Sequence, residues 1–511
     1  MQTQHSRVRC IGQREQVRNE VSTTERRTLV NIAHVNNKVV VCSLVMYIFR
    51  SFLWNYSLLL SAFVLKNSST MAFTQALHEK SPKIAVIGAG AAGLAVVRVM
   101  QRAGIDQVIV LEKDTSIGGV WNYKEGAKDR PMYQGLRTNL PKEVMGYREY
   151  PFPRELTKSF LTHRQVCQYL QGYKDHFNLS VQYGCAVNQL KVLACEESCV
   201  DHSSNDKPWP RIQLEWTDGP NQQEKKDVFD AVYIANGHYS QPQVPPIPGI
   251  ENFKGKTFHS IEYDVPSDFR GQKVLCIGGR ASGADIAREI AEAGAAQVFL
   301  SDSAKKDGAV ETLGDTLMWV PRTSVIREDG TVEFDSSCDI HPEVDIIIYC
   351  TGYDYNFPFI GEGSNLPLDW QSRRVQPLYE QLWHAMYPNI AFIGLPHSVV
   401  PFPLFEFQAE ACLSQISKCT LPDLSQRKKH AEMAVGGEGI RNGRVEDTHY
   451  LGDKQWDYCR RMAKYAGVYD ESVEAFLTTN QVRPSVSMIM LTTLHQMELN
   501  HIWSSCITED L

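Results

Sequence analysis

The sequence lacks several patterns that define common classes of protein. None of its 13 cysteines forms a C-x-x-C pair, which argues against a redox dithiol, a zinc ribbon and a disulfide framework and fits a reducing compartment. There is no H-E-x-x-H motif, and we predict no metal site. The net charge of −7 leaves no basic excess for binding nucleic acid. What remains is an ordinary globular chain, long enough for about two to four domains.

The first seventy residues differ from the rest in charge and hydropathy. They carry nine Lys or Arg and three Asp or Glu, a net charge of +6 that leaves −13 for residues 71–511. Residues 39–65 form an apolar run long enough to span a bilayer, although Arg50 interrupts it. Two interpretations stay open here, a membrane anchor at residues 39–65 or a dispensable extension before Met71.

A phosphate-binding turn follows the first strong strand signal. The β-branched run KIAVI enters residues 88–93 (GAGAAG), which match G-x-G-x-x-G, and a helical stretch follows. Gly88 permits the tight turn, Gly90 lets the backbone approach a pyrophosphate, and Gly93 lets the helix pack on the strand. Glu112 ends a second strand 19 residues after Gly93 and can accept hydrogen bonds from a ribose. The pattern predicts a dinucleotide site.

The pattern recurs later in the chain. The run KVLCI enters residues 278–283 (GGRASG), a helical stretch follows, and another strand is predicted at residues 297–300. Arg280 stands at the middle glycine position, so its side chain must leave the pyrophosphate path or contact the cofactor directly. The cofactor-binding residues predicted at this turn are Gly278, Arg280, Ser282 and Gly283.

The residues after that strand bear on the choice of nicotinamide nucleotide. A 2′-phosphate would lie near Ser301, which we predict to bind the cofactor. Lys305 and Lys306 favour a phosphate and hence NADP, whereas Asp302 opposes it.

Two such turns on one chain imply a flavin and a nicotinamide nucleotide held face to face, because hydride transfer needs near contact. The predicted fold class is α/β, with two Rossmann-like dinucleotide-binding domains and the NADP domain inserted into the FAD domain. The predicted bounds are residues 1–79 for an N-terminal extension, 80–242 and 348–480 for the two parts of the FAD domain, 243–347 for the NADP domain and 481–511 for a C-terminal tail.

Between the two turns, residues 253–263 (FKGKTFHSIEY) match F-x-G-x-x-x-H-x-x-x-[FY]. In this motif, and in the order of its nucleotide turns, the chain resembles the flavin-containing monooxygenases over about residues 80–480. The related Baeyer–Villiger monooxygenases end the motif in Trp-Pro, and this chain has Tyr263-Asp264. The resemblance therefore favours oxygenation of a nitrogen or sulfur over oxygenation of a ketone.

Further segments resemble those of the family and imply cofactor contacts. Residues 117–121 (IGGVW) resemble its G-G-x-W segment along FAD, and residues 136–143 (LRTNLPKE) resemble its T-N-x-P-K-E segment. Residues 350–353 (CTGY) resemble the turn that links the domains, and residues 402–408 (FPLFEFQ) resemble a late segment near the flavin. The cofactor-binding residues that these segments imply are Gly119, Trp121, Thr138, Asn139, Thr351 and Gln408. The sequence departs from the family at Asn236, Arg280 and Ser303.

The resemblance implies an FAD- and NADPH-dependent enzyme that transfers one atom of O₂, through a C4a-hydroperoxyflavin, to a soft amine nitrogen or sulfide sulfur of a small lipophilic compound. Such chemistry asks the protein to hold the cofactor, exclude water and supply one or two hydrogen bonds. Asn139 is the predicted catalytic residue, since its amide can donate and accept without titrating. The resemblance implies an enzyme of the N,N-dimethylaniline monooxygenase type. We expect it in the cytoplasm or on the cytosolic face of the endoplasmic reticulum. We also expect that two copies of the chain can associate.

Three alternatives stay open at this point. Arg280 could mark a decayed second turn, which would leave a flavin-binding protein without turnover. An uncoupled NADPH oxidase would release hydrogen peroxide instead of an oxygenated product. A pyridine-nucleotide disulfide reductase shares both nucleotide domains, but the missing C-x-x-C argues against it.

Overall fold

The computed structural model describes residues 81–194, 209–219, 222–306, 308–335, 338–436 and 444–482. The chain divides into two compact units, Met1–Glu79 and Lys80–Leu511. The first unit, which contains the predicted anchor at residues 39–65, lies outside the described residues. Residues 483–511 of the predicted tail also lie outside them. Within the described ranges, no helix combines the length and the apolar character needed to cross a membrane.

The α-helices of the described residues are numbered in chain order. They are α1 (Ala91–Arg102), α2 (Lys142–Met145), α3 (His163–His176), α4 (Ala281–Glu292), α5 (Pro401–Lys418), α6 (Leu424–Gly436), α7 (Gln455–Ala466) and α8 (Glu471–Val482). Local sequence sets several of their ends. The Thr162 hydroxyl accepts from the Gln165 amide in a capping box that starts α3, and Pro401 occupies the first turn of α5, where its missing N–H costs nothing.

The β-strands are numbered in the same way. The first ten are β1 (Ile84–Ile87), β2 (Val108–Glu112), β3 (Gln182–Tyr183), β4 (Cys185–Val192), β5 (Ile212–Asp218), β6 (Gln223–Phe229), β7 (Ala231–Ile234), β8 (Gln241–Pro242), β9 (Lys256–His259) and β10 (Lys273–Ile277). The remaining strands are β11 (Gln297–Asp302), β12 (Glu311–Leu313), β13 (Leu317–Pro321), β14 (Thr323–Ile326), β15 (Val332–Phe334), β16 (Ile346–Tyr349), β17 (Tyr353–Asp354), β18 (Leu378–Tyr379), β19 (Trp383–His384) and β20 (Ile390–Phe392).

The first sheet has seven strands in the order β18-β19-β20-β7-β1-β2-β3. Its centre is parallel, with β1 between β2 and β7, and the first glycine turn leads from β1 into α1. Side chains alternate along β1, as the pleat requires. Ile84 and Val86 pack on the face that α1 and α5 cover, and Ala85 and Ile87 pack on the face that the antiparallel sheet β4-β5-β6 helps to cover.

The second sheet has six strands in the order β12-β13-β11-β10-β16-β9. Strand β10 lies parallel to both β11 and β16, and the second glycine turn leads from β10 into α4. Every strand of this sheet lies between β7 and β17 in the chain. The predicted fold class is therefore confirmed: two dinucleotide-binding folds, with the second inserted into the first.

The chain passes between the two sheets twice, and the two crossing segments pair with each other. The outward crossing contains β8 and the return crossing contains β17, and these strands are antiparallel, with Pro242 opposite Tyr353. The Thr351 hydroxyl also donates a hydrogen bond to the Gln243 carbonyl oxygen. The paired crossing segments therefore form one junction between the two sheets.

Candidate active site

The first glycine turn leaves no room for side chains at two of its predicted positions. Gly88 has φ +102°, and a Cβ there would lie 2.5 Å from the Ala235 carbonyl oxygen. A Cβ on Gly93 would lie 1.9 Å from the Gly88 carbonyl oxygen, because α1 packs directly on the turn. At Gly90 the nearest atom to a Cβ would be the Gly119 Cα at 3.6 Å. The cradle in front of the α1 N-terminus therefore fits a pyrophosphate, which would bind to free backbone amides.

Glu112 lies at the edge of this cradle. It is buried, and its carboxylate accepts hydrogen bonds from the Ala89 amide at 2.7 Å and the Asp114 amide at 2.8 Å. A carboxylate has about four lone-pair positions, so both oxygens can still accept from ribose hydroxyls. The position of Glu112 fits the role predicted for it.

The second turn repeats the first almost atom for atom. Gly278 has φ +113°, and its Cβ would lie 2.6 Å from the Cys350 carbonyl oxygen. A Cβ on Gly283 would lie 1.7 Å from the Gly278 carbonyl oxygen. The fit to a second dinucleotide is therefore as good in the backbone as it is at the first turn.

Arg280 does not distort this turn. Its backbone has φ −78° and ψ −178°, close to the φ −73° and ψ −173° of Gly90 at the equivalent place. These angles lie in the extended region that any residue adopts, so the turn does not depend on glycine here. Arg280 and Ser282 are exposed at the start of α4, where both can reach a bound nucleotide.

The Ser301 hydroxyl is engaged within the protein. The side chain is buried, and its hydroxyl donates to the Pro321 carbonyl oxygen and accepts from the amide and the hydroxyl of Thr323. The hydroxyl therefore points into the sheet, and the cofactor contact of Ser301 stays a prediction. Asp302, the next residue, occupies the place that Glu112 has at the first turn, because Ile277 pairs with Ser301 as Ile87 pairs with Leu111.

The two lysines near this strand have different surroundings. Lys305 is buried, with its Nζ 4.6 Å from the centre of the Trp319 ring and 3.6 Å from a Glu311 carboxylate oxygen. Lys306 is exposed. Of the two cations predicted to favour a 2′-phosphate, Lys306 is the one whose head group solvent reaches.

Segment Gly119–Trp121 forms a short 3₁₀ helix beside the first turn. The Gly118 amide donates to the Ala89 carbonyl oxygen at 3.2 Å, which ties the segment to the turn. Gly119 has φ +54°, and a Cβ there would come within 3.1 Å of the Gly90 Cα. The half-buried Trp121 therefore lies where a flavin nucleotide that enters the first turn would pass.

Thr138 and Asn139 have complementary surroundings. The buried Thr138 hydroxyl donates to the Leu140 carbonyl oxygen at 2.8 Å and accepts from the Leu161 amide at 3.0 Å. It shapes the loop and is not available to a cofactor through this hydroxyl. Asn139 is half-buried, and its side-chain amide has no hydrogen-bond partner in the part of the chain that the structure describes.

His259, from the family motif, has a structural role in the return crossing. Its Nδ1 accepts from the Ile261 amide at 3.2 Å, so Nε2 carries the proton and donates to the Gly352 carbonyl oxygen at 2.9 Å. Burial lowers the pKa of this imidazole, which keeps it neutral. The motif therefore holds the crossing segment in place.

The Gln408 side chain is also engaged within the protein. It is fully buried; Oε1 accepts from the Gly394 amide at 2.9 Å and the Nε2 amide donates to the Tyr458 hydroxyl at 2.9 Å. Gln408 thus fixes the loop before α5, which lies at the N-terminus of that helix. The cofactor contact of Gln408 stays a prediction.

Sequence reasoning missed a group of histidines beside the crossing segments. His238, His397 and His449 each have a lowered pKa, chiefly because of burial. They come from three separate segments without a motif, so no spacing in the sequence could reveal them. Among the described residues, no cluster of His, Cys, Asp or Glu has the composition of a metal site.

Comparison with known proteins places this architecture in a family. A family model described as flavin-binding monooxygenase-like matches residues 81–310. The flavin-containing monooxygenase FMO GS-OX-like 4 of Arabidopsis thaliana is 33% identical over 416 residues, which cover 76% of this chain and 88% of the relative. The solved structure of S-allyl-L-cysteine S-oxygenase from Allium sativum is 28% identical, with a TM-score of 0.68 over 81% of this chain and 98% of the other.

A more distant structure shares the fold. The enzyme OTEMO, solved in complex with FAD and NADP, has a TM-score of 0.53 and 16% identity, over 76% of this chain and 98% of its own. The chain therefore belongs to the flavin-containing monooxygenase family.

Proposed function

We propose that this monooxygenase transfers one oxygen atom from O₂ to a soft nucleophilic nitrogen or sulfur of a small compound, an activity of the N,N-dimethylaniline type. Bound FAD supplies the oxidant of this chemistry, a C4a-hydroperoxide formed after reduction by NADPH. The names of the relatives support the sulfur arm, since one is an S-oxygenase of S-allyl-L-cysteine. No triad or pair of catalytic carboxylates is needed for such a transfer.

The observation that carries the proposal is the repetition of one backbone cradle on two sheets. A Cβ added to Gly88 would lie 2.5 Å from the Ala235 carbonyl oxygen, and one added to Gly278 would lie 2.6 Å from the Cys350 carbonyl oxygen. In both sheets the turn after the central strand therefore packs equally closely against the residue that follows the neighbouring strand. Because β8 and β17 pair, the two cradles belong to one continuous junction. This arrangement supports hydride transfer between two bound nucleotides.

The chain's own residues then have separate tasks. Glu112 orients a ribose, Gly90 and Gly119 leave room for the pyrophosphate, and Arg280 and Ser282 lie at the second cradle. Asn139 has both a donor and an acceptor free in the described part of the chain, so it can hold the reactive edge of the flavin or the oxidised nicotinamide. The Asn139 amide stays uncharged between about pH 5 and pH 9.

The test is anaerobic titration of the FAD-loaded protein with NADPH, followed by admission of O₂ and a thioether or tertiary amine. We expect bleaching of the flavin band at about 450 nm, and then one oxide formed for each NADPH consumed. An unchanged band would favour a flavin-binding protein without turnover. Hydrogen peroxide in place of the oxide would favour an uncoupled oxidase, and NADPH-dependent cleavage of a disulfide would favour a reductase.

Three organisational features are part of the proposal. We place the FAD domain at residues 80–242 and 348–480 and the NADP domain at residues 243–347, and we propose association of two copies of the chain. We also propose that the enzyme acts in the cytoplasm, or at the cytosolic face of the endoplasmic reticulum with residues 39–65 as its membrane anchor. Fractionation of cells that express the full chain or a version starting at Met71 tests the anchor, since only the full chain should sediment with membranes.

A further inference from the structure

Arg373 is a half-buried cation that has no partner among the described residues. It lies in the short 3₁₀ helix Gln371–Arg373, and in the part of the chain that the structure describes its guanidinium makes no hydrogen bond or ion pair. Its Nη2 lies 3.9 Å from the place where a Gly352 Cβ would be, which puts the guanidinium at the return crossing. Five N–H donors are thus held there without an acceptor among the described residues.

The backbone at Arg373 adds a second observation. Its φ is +57°, in the left-handed region, which is unfavourable for a residue with a Cβ. Such strained residues cluster at ligand-binding sites, where the surrounding structure holds them in place. This backbone conformation directs the Arg373 side chain toward the return crossing, whereas the neighbouring Arg374 is buried.

The Arg373 charge acts on two buried histidines. Its charge contributes to the lowered pKa of His238, about 4, and of His397, about 3; burial is the largest cause of both shifts. Both imidazoles are therefore neutral at physiological pH. Among the described residues, no carboxylate lies within ion-pair distance of the Arg373 guanidinium.

A further unsatisfied polar atom lies in the same group. The Nε2 of His238 is buried and has no hydrogen-bond partner in the described residues. His238 follows Gly237 in the outward crossing, and its ring contacts Tyr355, with 5.4 Å between the ring centres. The neighbouring Tyr239 is 44% exposed, so a small molecule can approach this group from solvent.

The group also lies within reach of the second glycine turn. Arg280, at the start of α4, acts on His397 together with Arg373. His397 itself lies four residues before Pro401, the first residue of α5, in the loop that Gln408 fixes. Arg373 thus faces the junction of the two cradles and not the outer surface of either domain.

We propose that Arg373 binds an anionic oxygen group, a carboxylate or a phosphate, of a small molecule at this junction. Arginine suits this role because its planar fork can donate two parallel hydrogen bonds to such a group. The anion has two sources, the carboxylate of an anionic substrate and a phosphate of the nicotinamide nucleotide. The first source rests on the proposed function. It narrows the proposed substrates to those that carry a carboxylate beside the nitrogen or sulfur that is oxygenated.

The test is calorimetric titration of the full FAD-loaded enzyme with three probes: 3-(methylthio)propanoate, its methyl ester and NADP⁺. Two variants remove the guanidinium, Arg373→Gln and Arg373→Asn, and the second tolerates the left-handed backbone if the first does not fold. The matched control is Arg211→Gln, which removes an exposed arginine from the sheet β4-β5-β6.

We expect the Arg373 variants to weaken binding of at least one anion about tenfold or more, with the ester unaffected. Loss for the acid identifies the substrate as the source, and loss for NADP⁺ identifies the nucleotide. Unchanged binding of both anions in a variant that retains FAD overturns the proposal. An enzyme that binds the acid through Arg373 but oxidises neither thioether would refute the proposed function and leave this inference standing.

Discussion

Asp302 lies so close to Gly279 that a Cβ on this glycine would come within 2.4 Å of the Asp302 carboxyl carbon. The carboxylate accepts a hydrogen bond from the Ala304 amide at 2.9 Å, which holds it at the rim of the second turn. At the equivalent rim of the first turn, Glu112 is placed to accept from a ribose. An acid in this position suits a free 2′-hydroxyl and repels a 2′-phosphate.

We therefore expect Asp302→Asn to increase the preference for NADPH over NADH. Removing the negative charge should raise the ratio of kcat/KM for NADPH to that for NADH about tenfold, since the repulsion of a nearby phosphate is lost. Steady-state kinetics with both nucleotides measure the ratio. The control is Asp315→Asn, an exposed acid in the same domain. An unchanged ratio in Asp302→Asn would contradict the ribose-side position of this acid.

Gly93→Ala and Gly283→Ala should separate the two nucleotide sites. Each new methyl would lie within 2 Å of a carbonyl oxygen, 1.9 Å and 1.7 Å respectively, so the helix must move away from its turn. Such overpacking costs about 1–3 kcal/mol. We expect Gly93→Ala to lose FAD on purification. Gly283→Ala should keep FAD but bind NADP⁺ poorly.

The control for these variants is Gly361→Ala, because a Cβ there meets no atom within 4 Å. FAD content from the absorption spectrum and NADP⁺ affinity from calorimetry are the two measurements. If Gly93→Ala retains FAD with normal affinity, the first turn is not the site of the flavin nucleotide.

Asn139→Ala should uncouple NADPH consumption from oxygenation. Its amide is the half-buried polar group that the described residues leave unpartnered in the T-N-x-P-K-E segment, and loss of one preorganised hydrogen bond costs about 10²–10³ in rate at other enzyme sites. We expect less oxide and more hydrogen peroxide for each NADPH. Asn139→Asp should have a stronger effect, because it adds a negative charge.

The matched control for Asn139 is Asn188→Ala, an exposed residue of β4 whose side chain bonds to Thr217. Oxide and peroxide are quantified in the same reaction mixture. Equal coupling in Asn139→Ala and the wild type would remove the predicted catalytic role of Asn139.

His449 should make the fold sensitive to acid. Its Nε2 accepts from the Val375 amide at 3.0 Å and its Nδ1 lies 3.1 Å from the Gln381 Oε1, so a second proton has no acceptor. Burial lowers its pKa to about 3. An unfolded histidine binds a proton below about pH 6.5, so the stability that neutral His449 contributes is present above that pH and is lost as the pH falls toward 3.

Between about pH 7.5 and pH 5, this one group should cost the wild type about 2 kcal/mol of unfolding free energy. His449→Gln keeps an acceptor for the Val375 amide and cannot titrate. Over the same pH range its free energy of unfolding should therefore fall about 2 kcal/mol less than that of the wild type. Urea unfolding at the two pH values measures the difference. An identical pH dependence in both proteins would show that His449 is not held neutral.

Local sequence predicted the nucleotide turns correctly because their requirements are local. A left-handed backbone at Gly88 and the absence of a Cβ at Gly93 are demands within six consecutive residues, and the acid at Glu112 follows at a distance that one helix and one strand determine. The order of these motifs along the chain also predicted that one dinucleotide fold is inserted into the other. The backbone at Arg280 shows that the missing glycine was less serious than the motif suggested.

Tertiary structure decided everything that depends on which way a side chain turns at a given place in the sheet. Ser301 and Asp302 are neighbours in the sequence, yet the pleat directs one into the core and the other to the turn. Gln408 lies in a motif near the flavin, but its contacts with Gly394 and Tyr458 come from segments that only packing brings together. The positions of Arg373 and His238 beside one junction have the same cause, because the residues of a site formed by distant loops carry no shared spacing along the chain.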